Sequence, residues 1–73
     1  MMFDGRFNEG DVLVELDCFQ KWVVWYEDKY SYHLKSYDAV SEFRRAEYIH
    51  DCVQNYVKVG RWDFRKCKEV PDD

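Results

Sequence analysis

The sequence predicts a small α+β domain in which one helix accompanies a bent antiparallel sheet or a small barrel, in the order β-β-β-α-β(-β). Three observations lead to this prediction. Alternation in two stretches, and a run of β-branched and aromatic residues between them, indicate three strands before residue 38. The apolar spacing becomes helical over residues 39–54. A final alternating stretch, "YVKVGRWDF", begins at Tyr56 and is expected to close the sheet.

The first and third strands are predicted from simple alternation. The stretch "DVLVELD" follows the turn signal "NEG" at 8–10 and alternates along its length. After the polar tip "EDK" at 27–29, the stretch "YSYHLKSY" alternates again. Two alternating stretches on either side of a short polar tip are typical of a β-hairpin.

The second strand, "KWVVWYE", is predicted to lie in the middle of the sheet. It is rich in β-branched and aromatic residues, which favour strands. Strict alternation would place Trp22, Val24 and Tyr26 on one face. Val23 and Trp25 would then lie on the other face. Both faces of this strand are apolar, so each is expected to need a covering layer.

The stretch 39–54 is predicted to be the one helix, and the strand after it is predicted to be bent. The apolar residues that recur at helical spacing are Phe43, Ala46, Ile49 and Val53. In the closing strand, Val57 and Val59 are expected to face inward. Gly60 is expected to mark a bulge or a sharp bend. The stretch "RKCKEV" is expected to add a short last strand.

The order of these features resembles that of SH3-like small barrels. The resemblance covers roughly residues 7–68: the "FNEGD" opening, the first strand, the aromatic hairpin and a helical segment before the last strand. It implies a strongly bent sheet and transfers no functional residues, and a helix over 39–54 is longer than the single turn usual in such barrels. The size, the aromatic content and the "YVKVGRWDF" ending are also similar to small accessory proteins encoded by bacteriophages.

Length and composition predict a single domain over 1–73, with an ordered core at about 7–68 and a frayed tail at 69–73. Three Trp, six Tyr and five Phe supply the large buried area that so short a chain needs. The net charge is −4, with acidic residues concentrated before residue 20 and basic residues between 58 and 68. We therefore expect the acidic first strand to pair with the basic strand after the helix.

The chain is expected to be cytoplasmic and to make no contact with membranes. Its N-terminus, "MMFDGRFNEG", is polar and acidic and lacks the apolar run of a leader sequence. No stretch approaches the length of a membrane helix. The three Cys cannot all pair within one chain, and we expect them to be reduced.

The sequence contains no recognisable catalytic pattern, so we expect no enzymatic activity, no cofactor and no metal site. It has no nucleophile-elbow, phosphate-binding or zinc-protease motif. The candidate metal ligands are Cys18, Cys52, Cys67, His33 and His50. Among these only His50 and Cys52 are close in sequence, and on a helix they would point in different directions.

The function favoured by the sequence is that of a small protein-binding module or inhibitor, such as a phage protein that blocks a host enzyme or defence component. Protein interfaces favour Tyr, Trp and Arg. A long aromatic hairpin also offers an edge for strand addition or for homodimerisation. The predicted binding residues are Trp25, Tyr30, Tyr32, Lys58, Arg61, Trp62 and Arg65.

Two other functions are compatible with the same residues. Aromatic walls together with Arg61 or Lys58 could hold a nucleotide-like anion, which would make the chain a sequestering protein. The mixture of basic and aromatic residues in "KVGRWDFRK" is also typical of proteins that bind single-stranded nucleic acid. The net negative charge and the acidic first strand argue against nucleic acid.

Overall fold

The residues that the structure describes fold into an antiparallel sheet of six strands with one short helix. The computed structural model describes residues 6–38 and 44–70. Its elements in chain order are β1 (Asp11–Glu15), β2 (Lys21–Glu27), β3 (Ser31–Ser36), β4 (Arg44–Tyr48), α1 (Ile49–Asn55), β5 (Tyr56–Asp63) and β6 (Lys68–Val70). The order across the sheet is β4-β3-β2-β1-β5-β6, so β4 and β6 are the edges. The α+β class is confirmed in this coarse form, and the sheet is open rather than closed into a barrel.

The predicted helix over 39–54 is wrong in its extent. Residues 44–48 form strand β4, the helix begins at Ile49, and residues 39–43 lie outside the described part of the chain. Arg, Ala and Glu favour helices when isolated, but β4 pairs with β3 over its whole length. Pairing with a neighbouring strand overrides that weak local preference. The observed order is therefore β-β-β-β-α-β-β.

The main core lies between the helix and one face of the sheet, which we call the helix face. Its buried members are Phe7, Leu13, Trp22, Val24, Tyr32, Leu34, Cys52 and Tyr56, with Ile49 and Val53 packed partly against them. A helix of seven residues is too short to be stable alone, so this packing holds it in place. Burial raises the pKa of the Cys52 thiol to about 12, so this group stays protonated at neutral pH.

A bulge in β2 changes the predicted facing of its aromatic residues. Val24 pairs with Leu34, and two residues later Tyr26 pairs with His33, so the register shifts by one residue. Tyr26 consequently leaves the helix face and is 48% exposed on the opposite face. Trp25, the residue between, is 39% exposed. Strand β2 thus has two solvent-facing rings where strict alternation predicts one.

A second bulge confirms the irregularity predicted at Gly60 and overturns the predicted facing of the residues before it. Val12 of β1 pairs with Gly60, and the next residue of β1 pairs with Lys58, which leaves Val59 as the extra residue. Val57 and Val59 are 46% and 48% exposed rather than inward-facing. Tyr56 supplies the buried ring of this strand instead.

The two edges of the sheet curl toward opposite faces. On the helix face, the Arg45 guanidinium of β4 reaches past two strands to Glu15 of β1 and past three strands to Tyr56 of β5. On the opposite face, the Glu69 carboxylate of β6 reaches past two strands to Lys21 of β2. The β5–β6 hairpin therefore folds over one end of the opposite face, while the other end, formed by β2, β3 and β4, stays uncovered by described residues.

Gly60 leaves the space that the Glu69 carboxylate occupies. A Cβ placed on Gly60 would overlap the Oε2 atom of Glu69. In that position Glu69 accepts a 3.0 Å hydrogen bond from the Tyr37 hydroxyl and lies 3.4 Å from the Lys21 ammonium. The hydrogen bond to Glu69, followed by burial, raises the pKa of Tyr37. These contacts fasten β6 to the middle of the sheet.

Gly60→Ala is expected to lower the free energy of unfolding by about 1 kcal/mol, because the displaced Glu69 carboxylate loses its hydrogen bond to Tyr37. The same substitution made in a Glu69→Ala background is expected to cost nothing measurable, since the displaced group is then absent. Urea unfolding of the four proteins measures both effects. An equal cost of Gly60→Ala in the two backgrounds would show that Glu69 is not the group in conflict.

Candidate binding surfaces

The first candidate site is a group of partly exposed side chains on the uncovered end of the opposite face. We call it the β2–β4 surface, and its residues are Trp25, Tyr26, His33, Arg44, Ala46 and Tyr48. They share one face because Tyr26 pairs with His33 and His33 pairs with Ala46 across neighbouring strands. Arg44 and Tyr48 flank Ala46 at alternate positions of β4.

Three rings of the β2–β4 surface touch one another. The centroid distances are 5.2 Å between Tyr26 and His33, 6.0 Å between Trp25 and Tyr26, and 6.2 Å between Trp25 and His33. The guanidinium carbon of Arg44 lies 5.3 Å from the Trp25 ring centroid, within the range of a cation–π contact. Each ring is therefore held by its neighbours while one side stays open to solvent.

Asp28 orients the imidazole of this surface. Its Oδ1 atom accepts hydrogen bonds from the backbone N–H groups of Tyr30 and Ser31, both at 2.8 Å, which shapes the β2–β3 turn. Its Oδ2 atom lies 2.7 Å from Nε2 of His33. The hydrogen bond to His33, followed by those from the two backbone groups, lowers the pKa of Asp28. One carboxylate therefore fixes both the turn and the ring beside Tyr26.

The second candidate site lies on the β5–β6 hairpin. We call it the hairpin groove, and its lining residues are Arg61, Trp62, Asp63, Phe64, Arg65 and Val70. The Trp62 ring packs edge-on against Tyr37, with centroids 5.3 Å apart, and Phe64 is 50% exposed. Asp63 accepts hydrogen bonds from the backbone N–H groups of Arg65 and Lys66 at 2.9 and 3.2 Å. These bonds shape the turn and leave Arg61 and Arg65 exposed beside the two rings.

The predicted binding residues do not form one site. Trp25 belongs to the β2–β4 surface, while Arg61, Trp62 and Arg65 meet at the hairpin groove. Tyr30 is 67% exposed in the β2–β3 turn.

Two of the predicted binding residues have structural partners. Tyr32 is fully buried in the core, and its hydroxyl accepts a 2.8 Å hydrogen bond from the backbone N–H of Phe7. Its ring is therefore not offered to a partner. Lys58 lies 3.4 Å from Asp11 on β1. This ion pair confirms the predicted pairing between the acidic first strand and the basic strand after the helix.

The sequence does not indicate His33 and Arg44 as members of a binding surface, and it places Tyr26 either in the core or among the rings that could line a ligand pocket. Tyr26 was assigned to the core because the bulge at Trp25 carries no Gly or Pro to announce it. The predicted helix over 39–54 would place Arg44 on a helix surface, where it could not lie above Trp25. The sequence contains one indication of this surface. Both faces of "KWVVWYE" are apolar, so the face that carries Trp25 needs a covering group.

The described residues contain no group of three or more His, Cys, Asp and Glu side chains arranged to hold a metal ion. Within 6–38 and 44–70, no helix has the length and apolar character needed to cross a membrane. Of the three cysteines, Cys18 and Cys67 are exposed and Cys52 is buried.

Acid is expected to weaken the contribution of Asp28 to stability. Because the pKa of Asp28 is lower in the folded chain, its contribution is full above the unfolded value of about 3.9 and is lost as the pH falls through the lowered value. Asp28→Asn keeps an acceptor for the two backbone N–H groups and removes the charge. The difference in unfolding free energy between wild type and Asp28→Asn should therefore shrink as the pH falls below the unfolded pKa of about 3.9. A difference that stays constant as the pH falls would contradict the assigned role.

Comparisons with known proteins do not place the chain in a family. No protein-family model matches it, no curated protein matches it, and no solved structure matches it. What can be said of its function therefore rests on the residues of the β2–β4 surface and the hairpin groove.

Proposed function

We propose that this chain is a protein-binding module that docks its partner on the β2–β4 surface. The observation that carries the proposal is the contact cluster of Trp25, Tyr26 and His33, which is partly exposed at the bulge of β2 with Arg44 beside it. Trp, Tyr and Arg are the residues most enriched among those that dominate binding energy at protein interfaces. Their grouping on one face supports recognition of a protein surface.

The cluster is well suited to binding because its side chains are already ordered. The Tyr26 and His33 rings touch at a centroid distance of 5.2 Å, and Asp28 holds the imidazole. Rings fixed in this way lose little conformational entropy when a partner covers them. The core does not need these rings, since Trp22 and Tyr32 already fill the helix face. Their exposure is therefore better explained by binding than by folding.

The proposal includes an inhibitory action. A module without catalytic groups can act on a partner by occupying its surface, and occupancy alone blocks an enzyme or a defence component. The predicted bacteriophage origin would make that partner a host protein. A standard interface needs about 800 Å² on each side, so the partner would have to cover more than the three rings. Arg44 and Tyr48 of β4, the strand beside β3, enlarge the surface next to the three rings.

The test compares matched exposed residues. Tyr26 and Val57 are 48% and 46% exposed on β2 and β5 respectively, so Val57→Ala is the control for Tyr26→Ala and Trp25→Ala. The immobilised chain captures a partner from the natural host lysate, and calorimetry then measures each variant against the purified partner. We expect Trp25→Ala and Tyr26→Ala to bind about 30-fold more weakly, the effect of losing about 2 kcal/mol. Equal affinity of all three variants would rule out the β2–β4 surface.

The hairpin groove favours a second candidate function, the binding of a phosphate-bearing aromatic ligand. Trp62 and Phe64 offer rings for stacking, and Arg61 and Arg65 offer charge for phosphate, all along one groove. A free nucleotide and a single-stranded nucleic acid share this chemistry. Because the net charge of the chain is −4, electrostatic attraction of a phosphate-bearing ligand is expected only near the basic residues of this groove.

Binding at the hairpin groove is measured with mononucleotides, cyclic dinucleotides and short single strands. If the groove binds them, Arg61→Ala and Arg65→Ala should each weaken binding about tenfold, while Lys29→Ala, which removes the same charge beside Tyr30, should not. Single strands should also lose affinity steeply with added salt, and free nucleotides less so. A lack of thermal shift and of anisotropy change with every probe would exclude this function.

A further inference from the structure

The outer side of β4 is an open edge of the sheet. In the described part of the chain, β4 pairs with β3 on one side and with no strand on the other. An unpaired edge is a template for pairing with another strand unless it is protected. Strand β4 has five residues, Arg44–Tyr48, and is therefore long enough for a defined register.

The backbone groups that point outward from this edge can be identified. The N–H of Ile49 donates to the C=O of Tyr30 at 2.9 Å, so this pair is hydrogen-bonded across the two strands. Hydrogen-bonded and non-hydrogen-bonded pairs alternate along an antiparallel ladder. Arg44, Ala46 and Tyr48 therefore direct their N–H groups away from β3, while the two residues between them direct theirs toward β3.

We propose that β4 is a dimerisation strand, which pairs antiparallel with β4 of a second copy about a two-fold axis at Ala46. Two identical antiparallel strands in one sheet are related by an axis perpendicular to the sheet, so the axis must pass through a residue rather than between residues. A residue on the axis lies opposite its own counterpart, and the two form a hydrogen-bonded pair when the N–H points outward. Among the residues that meet this condition, Ala46 alone is at the centre of the strand, so all five residues find partners.

This register makes β4 complementary to itself. Arg45 comes to lie opposite Glu47 of the partner subunit, and Glu47 opposite the partner's Arg45, so like charges do not face each other on the helix face, where each Arg45 already lies 3.1 Å from Glu15 and 3.5 Å from Glu47 of its own chain. On the β2–β4 surface, Arg44 comes to lie opposite the partner's Tyr48. The side chain at the axis is the small methyl group of Ala46, so no bulk prevents close approach of the strands. Shifting the axis to Arg44 would instead place two like charges directly opposite each other.

The dimer would join two copies of the β2–β4 surface into one. Arg44, already above its own Trp25, would have the partner's Tyr48 on its other side. A single strand pair buries little apolar area, so we expect a dissociation constant on the order of micromolar or weaker. The inference does not depend on the proposed function, because a monomer could bind a partner protein through the same rings.

Ala46→Lys tests the proposal, with Gln54→Lys as its control. Both positions are exposed and both substitutions add one positive charge, but only the charge added by Ala46→Lys would face its own copy across the axis. We expect sedimentation equilibrium to detect a wild-type dimer, an unchanged dimer for Gln54→Lys, and dissociation at least about tenfold easier for Ala46→Lys. Ala46→Pro is a second variant, because it removes the outward N–H at an edge position where Pro is tolerated.

Hydrogen exchange gives an independent reading of the same interface. The amides of Arg44, Ala46 and Tyr48 should become more protected as the protein concentration rises, while the amide of Glu47 should not change. A wild-type chain that stays monomeric up to about 1 mM would overturn the proposal. A dimer that Ala46→Lys and Ala46→Pro leave intact would also overturn it. Calorimetric binding of a partner protein through Trp25 is measured separately, so each proposal can fail alone.

Discussion

Arg45 lies on the edge strand β4, yet its guanidinium contacts groups on β1, β2 and β5. It donates to both carboxylate oxygens of Glu15 at 3.1 Å and to the Tyr56 hydroxyl at 2.7 Å, and it stacks 4.4 Å from the Trp22 ring centroid. The Tyr56 hydroxyl donates in turn to Glu47. Burial raises the pKa of Tyr56, so the hydroxyl remains a donor. A guanidinium suits this position because it is planar and carries several N–H donors, whereas the ammonium group of Lys is not planar.

The position of β4 has consequences for both faces of the sheet. With Arg45 and Glu47 turned toward the helix face, the alternate residues Arg44, Ala46 and Tyr48 must face the other way. The β2–β4 surface then forms where Arg44 meets Trp25 of the bulged strand. Arg45 thus holds β4 in place from the helix face, and the residues of β4 on the opposite face form part of the β2–β4 surface. The open edge of the sheet belongs to the same strand.

Much of the sheet could be predicted from the sequence, since β1, β3 and β5 alternate as half-buried strands do and β2 is rich in β-branched and aromatic residues. Strand β4 could not be predicted in this way, because "RRAEY" consists mostly of residues that favour a helix. Its strand conformation depends on pairing with β3, which the composition of the segment does not indicate. The bulge at Trp25 leaves no local signal either. For the same reasons the sequence predicts Trp25 as a binding residue but not Arg44. Arg61 and Trp62 were predicted together, and the bend after Gly60 does bring them to one groove.

The most direct test of this account is a double-mutant cycle between Glu15 and Arg45, measured by urea unfolding of wild type, Glu15→Gln, Arg45→Met and the double variant. Because Arg45 contacts both oxygens of the carboxylate and the pair is partly buried, the account predicts a coupling free energy of about 1 kcal/mol or more. A parallel cycle between Glu15 and the neighbouring Arg44, which faces the other side, should give a coupling near zero. A coupling near zero for Arg45 as well would mean that this contact does not hold β4 in the sheet, and would contradict the account.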